Sequence, residues 1–151
     1  MIIKRGQSLK KEIQVRLIKH ITFLEKEIED WESFRSLSWE EYNKERDKRR
    51  NIERWIENII NSSIDIAKII LASENIPLPE TYKEIVASLS LSPGFDKENT
   101  EHLSEWVKLR NIISHEYLDI RWNSIKKFIE ETGPIYRNFL EQVKIYIKGK
   151  L

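Results

Sequence analysis

The sequence predicts an all-α protein, an up-and-down helical bundle of about five helices, and three observations predict it. Apolar residues recur at helical spacing over long stretches. Only four Gly and four Pro occur, and most fall between those stretches. The links that remain are short, as in a bundle whose consecutive helices pack together. A chain of 151 residues suits a single domain spanning 1–151, large enough to bury roughly two thirds of its unfolded surface without a covalent staple.

The first helix is expected from about Ser8 to Phe34, with Ile13, Leu17, Ile21, Leu24 and Ile28 as its apolar stripe. Ser36-Leu37-Ser38 ends it, and Ser38-Trp39-Glu40-Glu41 has the Ser-x-x-Glu form of a capping box. A second, long helix then runs to about Ser73. Its broad apolar face holds Ile52, Ile56, Ile59, Ile60, Ser63, Ile66, Ala67 and Ile70, and small Ser63 near the centre would let a neighbouring helix come close. The opposite face carries Arg54, Glu57, Asn61, Asp65 and Lys68.

Ile76-Pro77-Leu78-Pro79 reads as an extended connector, because each proline disfavours helical geometry in the residue before it. A short helix over about Glu80–Leu89 and a turn at Ser92-Pro93-Gly94 follow. A fourth helix is expected from about Lys97 to Tyr117, and a last one from about Trp122 to Ile147, bent near Gly133-Pro134.

Composition narrows the chemistry. With no Cys, there is no disulfide framework, no thiol nucleophile and no thiolate metal site. His20 and His102 have no metal-ligand spacing to other His or carboxylates, so no metal and no cofactor is expected. Lys and Arg total 26 against 25 Asp and Glu, and the net charge of +1 supplies no global field for nucleic acid. Any such binding is local, and no DNA partner is expected. The start Met1–Gly6 has no stretch apolar enough for a signal peptide, and no later segment approaches the ~18 apolar residues of a membrane span. These features lead to the expectation of a soluble, cytoplasmic protein.

The chemistry concentrates in Leu109-Arg110-Asn111-Ile112-Ile113-Ser114-His115-Glu116-Tyr117. At roughly 100° per residue, Trp106, Leu109, Ile112 and Ile113 fall on one arc and Arg110, Asn111, Ser114, His115 and Tyr117 on the other. On this projection Arg110 and Tyr117 lie nearly in line, two turns apart. The polar face thus carries a permanent cation, a titratable imidazole and a phenol, a set suited to phosphate. Arg followed five residues later by His arises by chance in about one such chain in five, but adding the Tyr lowers that to roughly one in a hundred.

Arg110, His115 and Tyr117, with Asn111 after the Arg, resemble the HEPN superfamily of helical-bundle proteins. Within it they match the signature of the HepT-like toxins: Arg, four residues, His, one residue, Tyr. The similarity takes in the Ile-rich second helix, the Pro-containing connector and the run from Tyr117 to Trp122, about residues 8–147 in all. The resemblance implies a metal-independent endoribonuclease, usually a homodimer, with Arg and His of both subunits facing one cleft at the interface. His115 would move protons between the ribose 2′-OH and the leaving 5′-oxygen, and a second His115 from the partner would share that work, since a lone His does not easily do both. Arg110 would clamp the phosphate with its planar fork. Asn111 and Ser114 would orient the imidazole or the phosphate. The resemblance also implies a minimal nucleotidyltransferase antitoxin that transfers AMP to Tyr117.

Other readings stay open on the sequence. The runner-up is a non-catalytic module in which the same bundle holds a nucleotide or docks a nucleotidyltransferase, with Arg110 and His115 as ligand contacts, and a third, weaker reading is a purely structural helical dimer. Arg110 and His115 fit a solvated helix face with Arg110 paired to a Glu, and Tyr117 fits a half-buried aromatic at a helix end. Glu57, Asn61 and Asp65 either line the cleft or form a charged outer face, the cheaper explanation. The basic run Lys44, Arg46, Lys48, Arg49, Arg50 and Arg54, interleaved with Glu45, Asp47 and Glu53, fits an ion-paired helix better than an RNA guide. Trp39, Tyr42 and Trp122 seal either helix ends or a subunit contact.

Overall fold

The computed structural model describes residues 9–150, and among these there is no β-strand. Ser8, where the first helix was expected to begin, and the Met1–Gly6 start lie outside the described residues. The five expected helical segments are present, and most are broken once where the spacing of apolar residues changes.

The first segment consists of α1 (Lys11–Glu29) and α2 (Trp31–Arg35), separated at Asp30. Leu17, Ile21, Leu24 and Ile28 are buried as expected, and Trp31 and Phe34 continue the stripe. The step from Ile28 to Trp31 to Phe34 is three residues twice over, and each such step falls about 60° short of a full α-helical turn. The turn at Asp30 restores the alignment. It also brings the Trp31 indole N–H to the Ile129 carbonyl at 2.9 Å.

The second segment divides into α3 (Trp39–Lys44) and α4 (Arg46–Ser73), with Glu45 extended between them at φ −101° and ψ 97°. Residues 43–51 are all polar, so no apolar stripe holds a continuous helix to the body there. The capping box forms: the Glu41 amide donates to Ser38 Oγ at 3.1 Å and the Ser38 amide to Glu41 Oε1 at 3.2 Å. The whole expected apolar face of α4 is buried, and Trp55, Ile64, Ile69 and Leu71 join it, which makes α4 the central helix. Ser63 is buried and lies within hydrogen-bonding reach of the fully buried Tyr136 hydroxyl, so a close approach occurs where the small side chain allows it.

At the end of α4, Asn75 adopts φ +56°, its amide donates to Ala72 O at 3.2 Å, and the Ile76 amide donates to Leu71 O at 2.9 Å. This is a Schellman motif with Asn in place of Gly. The connector is non-helical through Pro79, Thr81 caps α5 (Tyr82–Ala87), and a 3₁₀ turn over Ser88–Leu91 follows. The turn at Ser92–Phe95 has Gly94 at φ +89°, a conformation open to Gly at no steric cost.

The fourth segment is α6 (Lys97–Trp106) and α7 (Leu109–His115), and the fifth is α8 (Leu118–Glu131) and α9 (Gly133–Lys150). The last segment bends at Thr132–Gly133, as Gly133-Pro134 suggested, but it starts at Leu118 rather than Trp122. Consecutive segments pack together and α9 closes against α1. The core centres on Trp31, whose ring lies 4.9 Å from Trp55 and 5.4 Å from Phe128, centroid to centroid. Trp39, Tyr42 and Trp122 seal α3 against α8, with Tyr42 and Trp122 5.2 Å apart.

Candidate functional site

Two departures from a straight fourth helix build the site. The first is the break at Val107–Lys108, where the Arg110 and Asn111 amides reach back only three residues, to Val107 O at 3.3 Å and Lys108 O at 3.1 Å. Leu109 and Ile113 remain buried on the core side of α7. The re-aimed polar side then faces α4 and the start of α5.

Between these elements lies a polar cleft of about 600 Å³, lined by Glu57 and Asn61 of α4, Tyr82 and Lys83 of α5, and Arg110, Asn111 and Ser114 of α7. Glu57 and Asn61 therefore belong to the cleft and not to a featureless outer face. Asp65 does not line it. The projection had placed all three in one row, and only the approach of α7 separates them.

Arg110 is half-buried and, among the described residues, has no carboxylate within 4.0 Å. The expectation of an Arg110–Glu pair thus does not hold. Its guanidinium instead lies over the Tyr82 ring, 5.1 Å from the centroid. Tyr82 was not singled out in the sequence, and a Tyr opening a short helix after a proline connector carries no motif that would have flagged it. The Ser114 hydroxyl donates to the Arg110 carbonyl at 2.9 Å, so its proton is engaged within the helix while its oxygen keeps acceptor capacity. Asn111 is exposed on the cleft wall.

The second departure ends α7 at His115. Glu116 and Tyr117 are extended, with ψ 163° and 159°, and Tyr117 sits immediately before α8. The expected helix from Lys97 to Tyr117 is corrected accordingly, and Arg110 and Tyr117 do not stack on one helical face. The reading of Tyr117 as half-buried fails as well, because it is 81% exposed. His115 is exposed at the end of α7, and neither it nor Tyr117 lines the cleft that holds Arg110.

The loop bearing these residues is tied down by Arg121. Its Nε donates to Glu116 O at 2.7 Å, its backbone amide to Tyr117 O at 2.9 Å, and its Nη1 to Glu53 Oε2 of α4 at 3.2 Å. Tyr42, buried in α3, donates its hydroxyl to the same Glu53 oxygen. Burial first, and Glu53 second, push the Tyr42 phenol well above its ordinary range, so it stays a donor. One planar guanidinium therefore links α4 to the His115–Tyr117 loop.

The basic run of α3–α4 resolves into structural contacts in part. Lys48 pairs with Glu41 and lies 3.6 Å from Glu45, and Arg49 donates to the carbonyls of Tyr42 and Asn43 at 3.0 and 2.9 Å. Arg50 and Arg54 line a shallow depression that shares Glu57 with the cleft. Among the described residues, no group of three or more His, Asp or Glu side chains converges in a way that would hold a metal ion. No helix of the described residues is long and apolar enough to cross a membrane.

Comparison with known proteins places the fold. None of the curated proteins matches the chain significantly. Among solved structures it is similar to a tri-AMPylated Shewanella oneidensis HEPN toxin in complex with an MNT antitoxin, with a TM-score of 0.70 at 17% identity over 90% of this chain and 99% of that one. A second similar structure, described as a toxin–antitoxin with AMP-PNP, gives a TM-score of 0.71 at 16% identity over 89% of this chain and 99% of that one. Both likenesses speak to the fold alone. The family model described as ribonuclease HepT-like matches residues 24–143, which take in every element from the end of α1 to the middle of α9. On that match the chain belongs to the HepT-like family of HEPN proteins.

Proposed function

We propose that this protein is the toxin of a toxin–antitoxin pair, a metal-independent endoribonuclease that cleaves RNA by attack of a ribose 2′-OH on the adjacent phosphate. The observation that carries the reading is the pairing of an unneutralised Arg110 inside a polar cleft with an exposed His115 five residues further along the same helix. Arg110 binds the phosphate and offsets charge that builds up in the transition state. His115 takes the 2′-OH proton or returns one to the leaving 5′-oxygen, a transfer typically worth roughly 10²–10⁴ in rate. Cleavage leaves a 2′,3′-cyclic phosphate and a 5′-hydroxyl, so atoms and charge balance without another reactant.

A His that stands outside the cleft suits a site completed by a second copy, whose own His115 supplies the other proton transfer. The active species is therefore a homodimer. Asn111, which lines the same cleft as Arg110, orients the phosphate in this reading, and Ser114 offers only an acceptor while its proton stays on the Arg110 carbonyl.

The partner is a minimal nucleotidyltransferase antitoxin, which transfers AMP to Tyr117. Exposure of that phenol, free of the helix, supports the acceptor role. The added anion competes for Arg110 and covers the cleft mouth. The solved structures similar to this chain contain, by their own descriptions, an AMPylated toxin with an antitoxin and a toxin–antitoxin with a nucleotide analogue.

The deciding experiment incubates purified protein with a mixed RNA pool in EDTA and sequences the product ends. Wild type yields cyclic-phosphate ends and His115→Ala yields none. Saturable RNA or nucleotide binding with no new ends, in protein whose intact mass shows no AMP, would replace this reading with a non-catalytic binding module.

A further inference from the structure

The cleft contains more positive charge than Arg110, and the protein treats its cations unequally. Lys83 and Lys108 line the cleft and both lean on Glu105, at 3.0 and 3.7 Å. Lys83 above all holds the Glu105 carboxyl below its ordinary range, as expected for an ion pair. Lys68 of α4 has no such partner. Among the described residues no carboxylate lies within 4.0 Å of its ammonium. It lies over the same Tyr82 ring as Arg110, 5.0 Å from the centroid.

One phenol ring at the wall of the polar cleft thus holds two unneutralised cations, Arg110 of α7 inside the cleft and Lys68 of α4 beside it, outside the lining. Two cations drawn to one ring repel each other, and the ring quadrupole offsets only part of that repulsion. An anion in the cleft would offset the rest. Since both cations lie about 5 Å from one centroid, they are at most about 10 Å apart, a span that neighbouring phosphates of one strand cover.

We propose that Lys68 and Tyr82 form a second phosphate subsite, in which Lys68 takes the phosphodiester next to the one bound by Arg110 and Tyr82 fixes the spacing of the two cations. The subsite rests on the nucleic-acid reading of the cleft given above, and its ligand is the backbone of single-stranded RNA. Glu57 and Glu80, which also line the cleft, repel a backbone that strays toward them.

The test measures binding of a 2′-O-methylated single-stranded oligoribonucleotide, which this chemistry does not cut, over a range of salt concentrations. Lys68→Ala and Lys68→Gln should each make the plot of log affinity against log salt shallower by about 0.7, the loss of one phosphate contact on a single strand. Tyr82→Leu should weaken binding several-fold, whereas Tyr82→Phe, which keeps the ring, should bind as wild type does. Lys19→Ala, on exposed α1 surface outside the cleft, should change nothing. An unchanged slope in both Lys68 variants overturns the subsite, even if wild type cleaves RNA and His115→Ala does not. The reduced slope together with no cleavage by wild type whose intact mass shows no AMP keeps the subsite and overturns the nuclease.

Discussion

Removing the Arg121 side chain tests whether the His115–Tyr117 loop is held by the link to α4. In Arg121→Met the aliphatic stem remains while the guanidinium bonds to Glu116 O and Glu53 Oε2 are lost. Hydrogen bonds involving a charged group contribute roughly 1.5–3 kcal/mol each when buried. The Arg121 and Glu53 side chains are 22% and 14% exposed, so water screens part of that value. Glu53 also keeps the Tyr42 hydroxyl as a partner, which limits the penalty for a carboxylate left without its cation. The net cost is therefore ~2–3 kcal/mol, or a fall in Tm of roughly 5–10 °C for a chain of this size. Thermal melts of Arg121→Met, Glu53→Gln and the double variant form a cycle with an expected coupling of about 1–2 kcal/mol. Amide exchange at Glu116 should quicken in Arg121→Met while amides in the middle of α4 stay protected. Strict additivity of the two substitutions, or an unchanged Glu116 amide, would refute the link.

Other substitutions probe separate features. Trp31→Phe removes the buried indole bond to Ile129 O and part of the aromatic core, so it should cost ~2–4 kcal/mol in denaturant unfolding; a loss below about 1 kcal/mol would argue against Trp31 as the central contact. Asn75→Ala forces a β-carbon without a helpful amide into φ +56° and should lower stability by about 1 kcal/mol, whereas Asn75→Gly should not. Glu27 has its pKa raised, first by burial and then by Asp30, with Asn58 acting against both. A carboxyl with a raised folded-state pKa binds protons more tightly in the native state, so its contribution is fully present below the unfolded pKa and is lost as pH rises through the folded one. Glu27→Gln should therefore raise Tm slightly at pH 7 relative to wild type and lose that advantage near pH 4; a gain that grows on acidification would reverse the assignment.

Legibility of the fold followed from the kind of information each feature carries. The bundle, the capping box at Ser38, the connector at Ile76–Pro79 and the bend at Gly133 depend on spacing and on residues with strong local preferences, and these are written in the order of the chain. The breaks at Asp30, Glu45 and Val107–Lys108 have no Gly or Pro. They arise because a helix must satisfy partners on other segments, and an ideal projection carries no knowledge of those partners.

The site divides along the same line. Local periodicity alone places Arg110, Asn111 and Ser114 together on α7, because they lie within about one helical turn and must share a side of the helix. The Arg110–His115–Tyr117 spacing also carried the resemblance to the family, and the family model matches residues 24–143. Packing between distant segments puts Glu57 and Asn61 in the cleft with Arg110 and leaves Asp65 out, gathers Lys68 and Arg110 on Tyr82, and ties the loop to Arg121. It also takes Tyr117 off the helix and into solvent. The physical reason is range: helical periodicity fixes neighbours within a few residues, whereas a cleft between helices is set by where buried side chains far apart in the chain come to rest against one another.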